Sequence, residues 1–157
     1  MKDLIEYLKN SDFTISTMES CTGGYIASSI TNVSGSSLVF KFGAVTYSNE
    51  YKIKMGVNKD IIDKYSVYSM ECAKDMARAI SEYTNSDYGV GVTGKINDPD
   101  PNNNMGDNST IYLSIYDKNN NKYIEKEIKA LNQSRIDNKE LIKNEFIDLF
   151  KNMIIYM

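Results

Sequence analysis

No histidine occurs among the 157 residues, and this absence removes more chemistry than any other feature of the composition. Ser-His-Asp and Cys-His catalysis within one chain are excluded, as are zinc sites with His ligands. A side chain that accepts a proton in a reaction must therefore be Lys, Tyr, Asp or Glu. Cysteine is scarce too: Cys21 and Cys72 have no metal-ligand spacing, so no metal is expected. No apolar run approaches the ~20 residues of a membrane-spanning helix. The opening "MKDLIEYLKN" is amphipathic and charged, which is not the pattern of a secretory signal. A cytoplasmic chain with reduced thiols and no membrane partner is expected. The net charge is −3 with basic residues spread along the chain, so nothing marks a nucleic-acid surface.

What is present suits one globular domain over residues 1–157, long enough to bury a core without disulfides or a structural metal. Met1, Leu4, Ile5 and Leu8 recur at helical spacing. "FTISTME" has the β-branched alternation of a strand, and "TGGYIASSIT" reads as a helix opening straight out of it. A second strand is expected from about Gly43 to Tyr47. Ser48 is the expected cap of a short helix that stops at Gly56. "NKDIIDKY" gives another, and Ser69 caps a longer one whose shared face carries Cys72, Met76, Ala79, Ile80 and Tyr83. "DYGVGVTG" is a buried strand, and "STIYLSIY" with "KYIEKEIKA" forms a hairpin around "DKNNN". Both prolines lie in the polar loop "KINDPDPNNNMGDN", which is expected to be mobile. The last helix is expected to start with Asp137 and Glu140 as a capping box. Helices alternating with strands, then a hairpin and a terminal helix, predict an α/β fold: a three-layer α/β/α domain with a mixed, mostly parallel sheet.

Four stretches carry candidate chemistry. "ESCTGG" ends a strand and opens a helix, where backbone N–H groups favour an anion or oxyanion and glycines let a ligand approach. It reads either as a tight turn or as a presented nucleophile. Ser20 and Cys21 are rivals for that role, with a buried structural thiol as the other reading of Cys21. "GVGVTGK" has the P-loop spacing up to its lysine, but Ile96 stands where Ser or Thr would hold magnesium and "NDPDP" cannot begin a helix, so a nucleoside triphosphate site is rejected. The loop that follows lacks the glycine and the final acid of an EF-hand. "VTYSNEYK" sets Tyr47 and Lys52 near a strand end, and Arg135 falls just before the last helix. Taken singly, each of these three reads as an ordinary wall or surface residue.

In order and spacing, "ESCTGG", "SGSS", "TYSNEYKIKMGV", "VTG" and an arginine before the final helix resemble the CinA C-terminal domain family, from about Leu4 to Phe150. The chain looks like a stand-alone copy of that domain. The resemblance implies a nicotinamide-nucleotide amidase that converts nicotinamide mononucleotide to nicotinate mononucleotide and ammonia, with no metal and no cofactor. It implies Ser20 as nucleophile, Tyr47 and Lys52 as catalytic partners, Thr93 in the site and Arg135 on the ligand phosphate. The residues fit this on their own terms, since an amidase without histidine needs a serine activated by lysine or tyrosine. Such a lysine must have its pKa lowered from ~10.4 towards neutrality. Backbone amides of Cys21, Thr22, Gly23 and Gly24 are expected to cradle an oxyanion or a phosphate. After "VTG" the family continues with small residues, where this chain has Lys95 and Asp98. The expected partner is a small nucleotide, and a homo-oligomer is expected because symmetric dimers are the commonest form.

Overall fold

Strand β1 (Ile15–Glu19) is buried at all five positions, and the chain is wound around it. In the computed structural model, which describes residues 1–155, helix α1 (Lys2–Asn10) leads into β1, and α2 (Tyr25–Thr31) crosses to β2 (Phe40–Val45). Helices α3 (Asn49–Lys54), α4 (Lys59–Tyr65) and α5 (Met70–Thr84) return the chain to β3 (Tyr88–Gly94). The hairpin β4 (Thr110–Asp117) and β5 (Lys122–Lys129) and the long helix α6 (Arg135–Ile155) complete it. The sheet order is β2-β1-β3-β4-β5. β1 pairs parallel with both β2 and β3, while β4 and β5 add antiparallel pairings. The sheet is thus mixed, with a parallel core of three strands, and the three-layer α/β expectation holds.

Two apolar cores flank the sheet. One joins Leu4, Ile5 and Leu8 of α1, Ile26 and Ile30 of α2, and Ile142, Phe146 and Phe150 of α6 to Ile15, Val90 and Val92. The other packs Cys72, Met76, Ala79 and Ile80 of α5 with Val57, Ile62 and Val67 against Met18. The alternation in β3 explains its glycines: Val90 and Val92 face the first core, and Gly89 and Gly91 face α5. A Cβ at Gly89 would stand 2.0 Å from the Ala77 carbonyl oxygen, and one at Gly91 would stand 2.1 Å from that of Ala73. The glycines that resembled a phosphate loop are the seat of a helix. Among the described residues no helix is long and apolar enough to cross a membrane.

Several boundaries differ from the sequence-based expectation, each for a local reason. α2 does not open directly from β1, because Gly23 and Gly24 adopt left-handed φ of +62° and +90° and make residues 21–24 a turn. The second strand runs from Phe40 to Val45 rather than Gly43 to Tyr47. The Thr46 N–H still donates to Glu19 O at 2.9 Å, after which the chain turns towards the Ser48 cap. α6 begins at Arg135 because Ser134 Oγ accepts from the Asp137 N–H at 3.1 Å and donates to the Asp137 carboxylate, a side-chain cap placed three residues earlier than the expected box. Tyr83, expected on the buried face of α5, is 66% exposed and tilts against Phe42 of the open edge strand at 5.6 Å. The loop after β3 is tied down at several points described below.

Replacing Gly91 with alanine sets a methyl group against the α5 backbone, which cannot rotate away. Overpacking of this kind costs about 1–3 kcal/mol. Gly91→Ala is expected to lower the urea midpoint accordingly, and an unchanged midpoint would show that α5 and β3 are not in such close contact.

Candidate active site

In an open α/β sheet the crevice for a ligand forms at the carboxyl ends of the strands, where neighbouring crossovers leave in opposite directions. β1 lies between β2 and β3 and ends there at Glu19. The next residue is Ser20, whose N–H still donates to Val92 O at 3.0 Å. Ser20 is held where the sheet stops.

Glu19 fixes the turn that follows. Its fully buried carboxylate accepts from Thr22 Oγ1 at 2.7 Å and from the backbone N–H groups of Ile26 at 3.0 Å and Ala27 at 2.8 Å. A carboxylate at a helix N-terminus satisfies donors that have no partner within the helix and complements the helix dipole. The turn is closed by the Gly23 N–H donating to Ser20 O at 2.9 Å. The amides of Cys21, Thr22 and Gly24 donate to no oxygen among the described residues.

Lys52 comes to Ser20 from the other side. Ser48 Oγ caps α3 through the Tyr51 N–H at 3.3 Å, and the helix turns the Lys52 side chain inward, where only 2% of it is exposed. Its Nζ donates to Ser20 Oγ at 3.0 Å and to the Thr46 carbonyl at 2.7 Å. Desolvation by burial lowers its pKa below the ordinary 10.5, outweighing the opposing influence of Cys72, Cys21 and Asp100. Among the described residues no carboxylate pairs with the amine, and burial of an unpaired ammonium favours the neutral form. Ser20 is thus hydrogen-bonded to a lysine whose burial disfavours its charged form.

Ser20 opens onto a cavity of about 540 Å³, lined also by Cys21, Tyr47, Tyr68, Gly94, Lys95, Asp98, Asp100 and Arg135. Cys21 is buried, and its thiol is pushed up to about 12, chiefly by desolvation. A thiol held in its protonated form is a poor nucleophile, so Ser20 is the better candidate of the two. Tyr47 stands on the wall, 68% exposed, without a hydrogen bond to Ser20 or Lys52. Arg135 reaches the same wall from the first turn of α6. The segment before it is anchored by buried Asn138, whose Oδ1 accepts from Leu131 N at 2.8 Å and whose Nδ2 donates to the carbonyls of Leu131, Gln133 and Ser134.

Not every predicted site residue reaches the cavity. Thr22, Gly23, Gly24, Lys52 and Thr93 are absent from its lining, and Lys52 meets the cavity only through its bond to Ser20. Thr22 is spent on Glu19, and Thr93 Oγ1 donates to Val67 O at 2.7 Å with none of the residue exposed. Thr93 therefore braces the segment ahead of α5. Other contributors had no assigned part in the sequence reading: Glu19, Asn138, and the loop residues that fold over the cavity. The Tyr68 hydroxyl donates to Asp100, Asn49 Nδ2 donates to Asn103 Oδ1 at 2.9 Å, and Lys95 Nζ donates to Met105 O at 3.0 Å while lying 4.7 Å above the Tyr68 ring. Only Glu19 left a sequence signal, an acceptor immediately ahead of a turn and a helix start.

Comparison with known proteins places the chain by family and fold. Residues 1–154 match the CinA C-terminal domain. A Clostridium kluyveri relative that carries the competence-damage inducible name is 46% identical over 112 residues, 71% of this chain and 27% of its own length. A CinA-like protein of Kosmotoga olearia is 45% identical over 92 residues, 58% of this chain and 22% of that protein. This chain therefore matches only about a quarter of those curated relatives. Among solved structures, the competence/damage inducible protein CihA from Agrobacterium tumefaciens superposes with a TM-score of 0.81 at 26% identity, over 94% of this chain and 92% of that one. The competence damage-inducible protein A from Klebsiella pneumoniae shares the fold, with a TM-score of 0.87 at 18% identity over 99% and 96% of the two chains. The chain belongs to the CinA C-terminal domain family.

Proposed function

We propose that this domain is an amidohydrolase that cleaves the carboxamide of nicotinamide mononucleotide, giving nicotinate mononucleotide and ammonia. The observation that carries the reading is the 3.0 Å bond between Lys52 Nζ and Ser20 Oγ in a buried setting at a cavity wall. In the neutral amine, one N–H remains on the Thr46 carbonyl, and the lone pair faces the serine hydroxyl. Lys52 takes the Ser20 proton as Oγ attacks the carboxamide carbon. The oxyanion of the tetrahedral intermediate forms beside the Cys21 N–H, which donates to no oxygen among the described residues and is a donor of the kind that stabilises developing charge. Lys52 then returns the proton to the departing nitrogen, and ammonia leaves an acyl-serine. Water, deprotonated by the same amine, attacks that ester, and Lys52 passes the proton to Ser20 Oγ as the acyl C–O bond breaks and the nicotinate carboxyl is released.

Tyr47, without a bond to either catalytic group, acts in this reading on the substrate from the cavity wall. Arg135 supplies the charge-assisted contact to the phosphate, and its Nε and Nη2 have no acceptor among the described residues. The neutral carboxamide would thus lie at Ser20 and the anionic end at Arg135.

Ser20→Ala is expected to reduce ammonia release by roughly 10³-fold or more, as loss of a covalent nucleophile does, while circular dichroism remains that of the folded protein. Survival of activity would remove Ser20 from its role. A base must be deprotonated to act, and burial lowers the Lys52 pKa, so kcat/KM is expected to rise with pH through an apparent pKa below 10.5. Lys52→Arg, which cannot release a proton at these pH values, is expected to abolish both the rate and the rising limb. A profile independent of pH would contradict Lys52 as base. Arg135→Ala is expected to raise KM for the phosphorylated substrate about tenfold, the worth of one charge-assisted bond, with kcat little changed. Equal effects on the amide with and without phosphate would count against the phosphate contact.

A further inference from the structure

Arg135 is one of two arginines in the chain, the other being Arg78, and the only one on the cavity wall. Its Nη1 is already engaged, donating to Asp98 Oδ2 at 2.9 Å and to the Ile96 carbonyl at 3.0 Å. Asp98 lies on the same wall and is mostly exposed, its side chain retaining 67% of its accessible surface. It makes no other side-chain hydrogen bond among the described residues. The wall carries Glu50, Asp98 and Asp100 against Lys95 and Arg135. Lys95 is buried, with its amine on Met105 O and near Asn108 Oδ1. Asp100 is held by the Tyr68 hydroxyl, Asn103 Nδ2 and the Asn102 N–H. An arriving anion therefore meets one available guanidinium, with a carboxylate already on it.

We infer that Asp98 is a specificity-determining residue which competes with the ligand phosphate for Arg135 and sets the affinity for phosphorylated ligands. This rests on the reading of Arg135 as the phosphate contact. The exchange is a side-chain movement, because the loop itself is fastened elsewhere, at Asp100, Asn103 and Lys95. A solvent-exposed ion pair is weakly held and screened by water, so a dianion can displace it. Until displaced, Asp98 both occupies Nη1 and repels the phosphate.

The test separates binding from turnover. In the Ser20→Ala protein, nicotinamide mononucleotide and the same amide without its phosphate are titrated by calorimetry, with and without Asp98→Asn. Asp98→Asn is expected to tighten the nucleotide about fivefold to tenfold, to leave the phosphate-free amide unchanged, and to lose its effect once Arg135→Ala is added. The gain should shrink as salt rises, since screening weakens both pairs. An unchanged or weaker nucleotide affinity in Asp98→Asn would overturn the inference, as would an equal gain for the phosphate-free amide. If the wild-type protein releases no ammonia yet Asp98→Asn shows the expected gain, the amidase reading fails and the competition stands. If ammonia is released but Asp98→Asn leaves nucleotide affinity unchanged, the amidase reading stands and the competition is refuted.

Discussion

Burial of one lysine amine against one serine hydroxyl is the constraint on which the rest of the site depends. An amine out of water costs free energy as a cation, and among the described residues no carboxylate offsets that cost. Lys52 Nζ instead donates to Thr46 O and Ser20 Oγ at 2.7 and 3.0 Å, and burial holds its pKa below the ordinary 10.5. To bring the three together, β1 must end at Glu19, β2 must end beside it, and α3 must start after only three intervening residues. The sheet order with β1 between β2 and β3 delivers the first two conditions, and the Ser48 cap delivers the third. The architecture thus sets a proton affinity as well as a shape.

The rigidity of the turn comes from polar groups whose bonds are satisfied. Glu19 accepts three bonds from the turn and the start of α2, and Asn138 spends its amide on the segment that presents Arg135. Fully bonded buried polar groups specify one arrangement, because any alternative leaves a donor or acceptor unpaired. The hydroxyls of Thr17, Thr46 and Ser114 are buried without a partner among the described residues. Thr46 is thus bonded to the site through its backbone carbonyl and not through its side chain.

Much of this was legible in the chain before any coordinates. The absence of histidine left lysine, tyrosine, aspartate or glutamate as the base, and the patterns of Ile15–Glu19, Met70–Thr84 and Tyr88–Gly94 announced the elements that the structure contains. Local patterns failed where two interpretations share one pattern. Ser134 and Asp137 have the same spacing as Asp137 and Glu140, and only the structure shows that Glu140 instead accepts from the Tyr25 hydroxyl at 2.7 Å. Glycines 89 and 91 look alike as phosphate cradle and as helix seat, since both demand a missing Cβ. Thr93 and Ser20 each lie at a strand end. Only tertiary contacts reveal that one hydroxyl is spent on Val67 while the other faces the cavity. Asp98 stood out only as a departure from small residues, and its pairing with Arg135 had no local trace because the partner is 37 residues away.

The depth of Lys52 gives its amine a chemical identity separate from most of the other lysines. Reagents that acylate amines require an accessible, unprotonated nitrogen. Exposed lysines such as Lys54, Lys59 and Lys129 meet the first condition, while Lys52, at 2% exposure, does not. The molecule can therefore carry a thoroughly modified surface and keep its inner amine intact until the sheet end opens. Acylation of Lys52 becomes a clock for that opening, readable by mass spectrometry at a single residue, and the same shielding hides the amine from adventitious electrophiles.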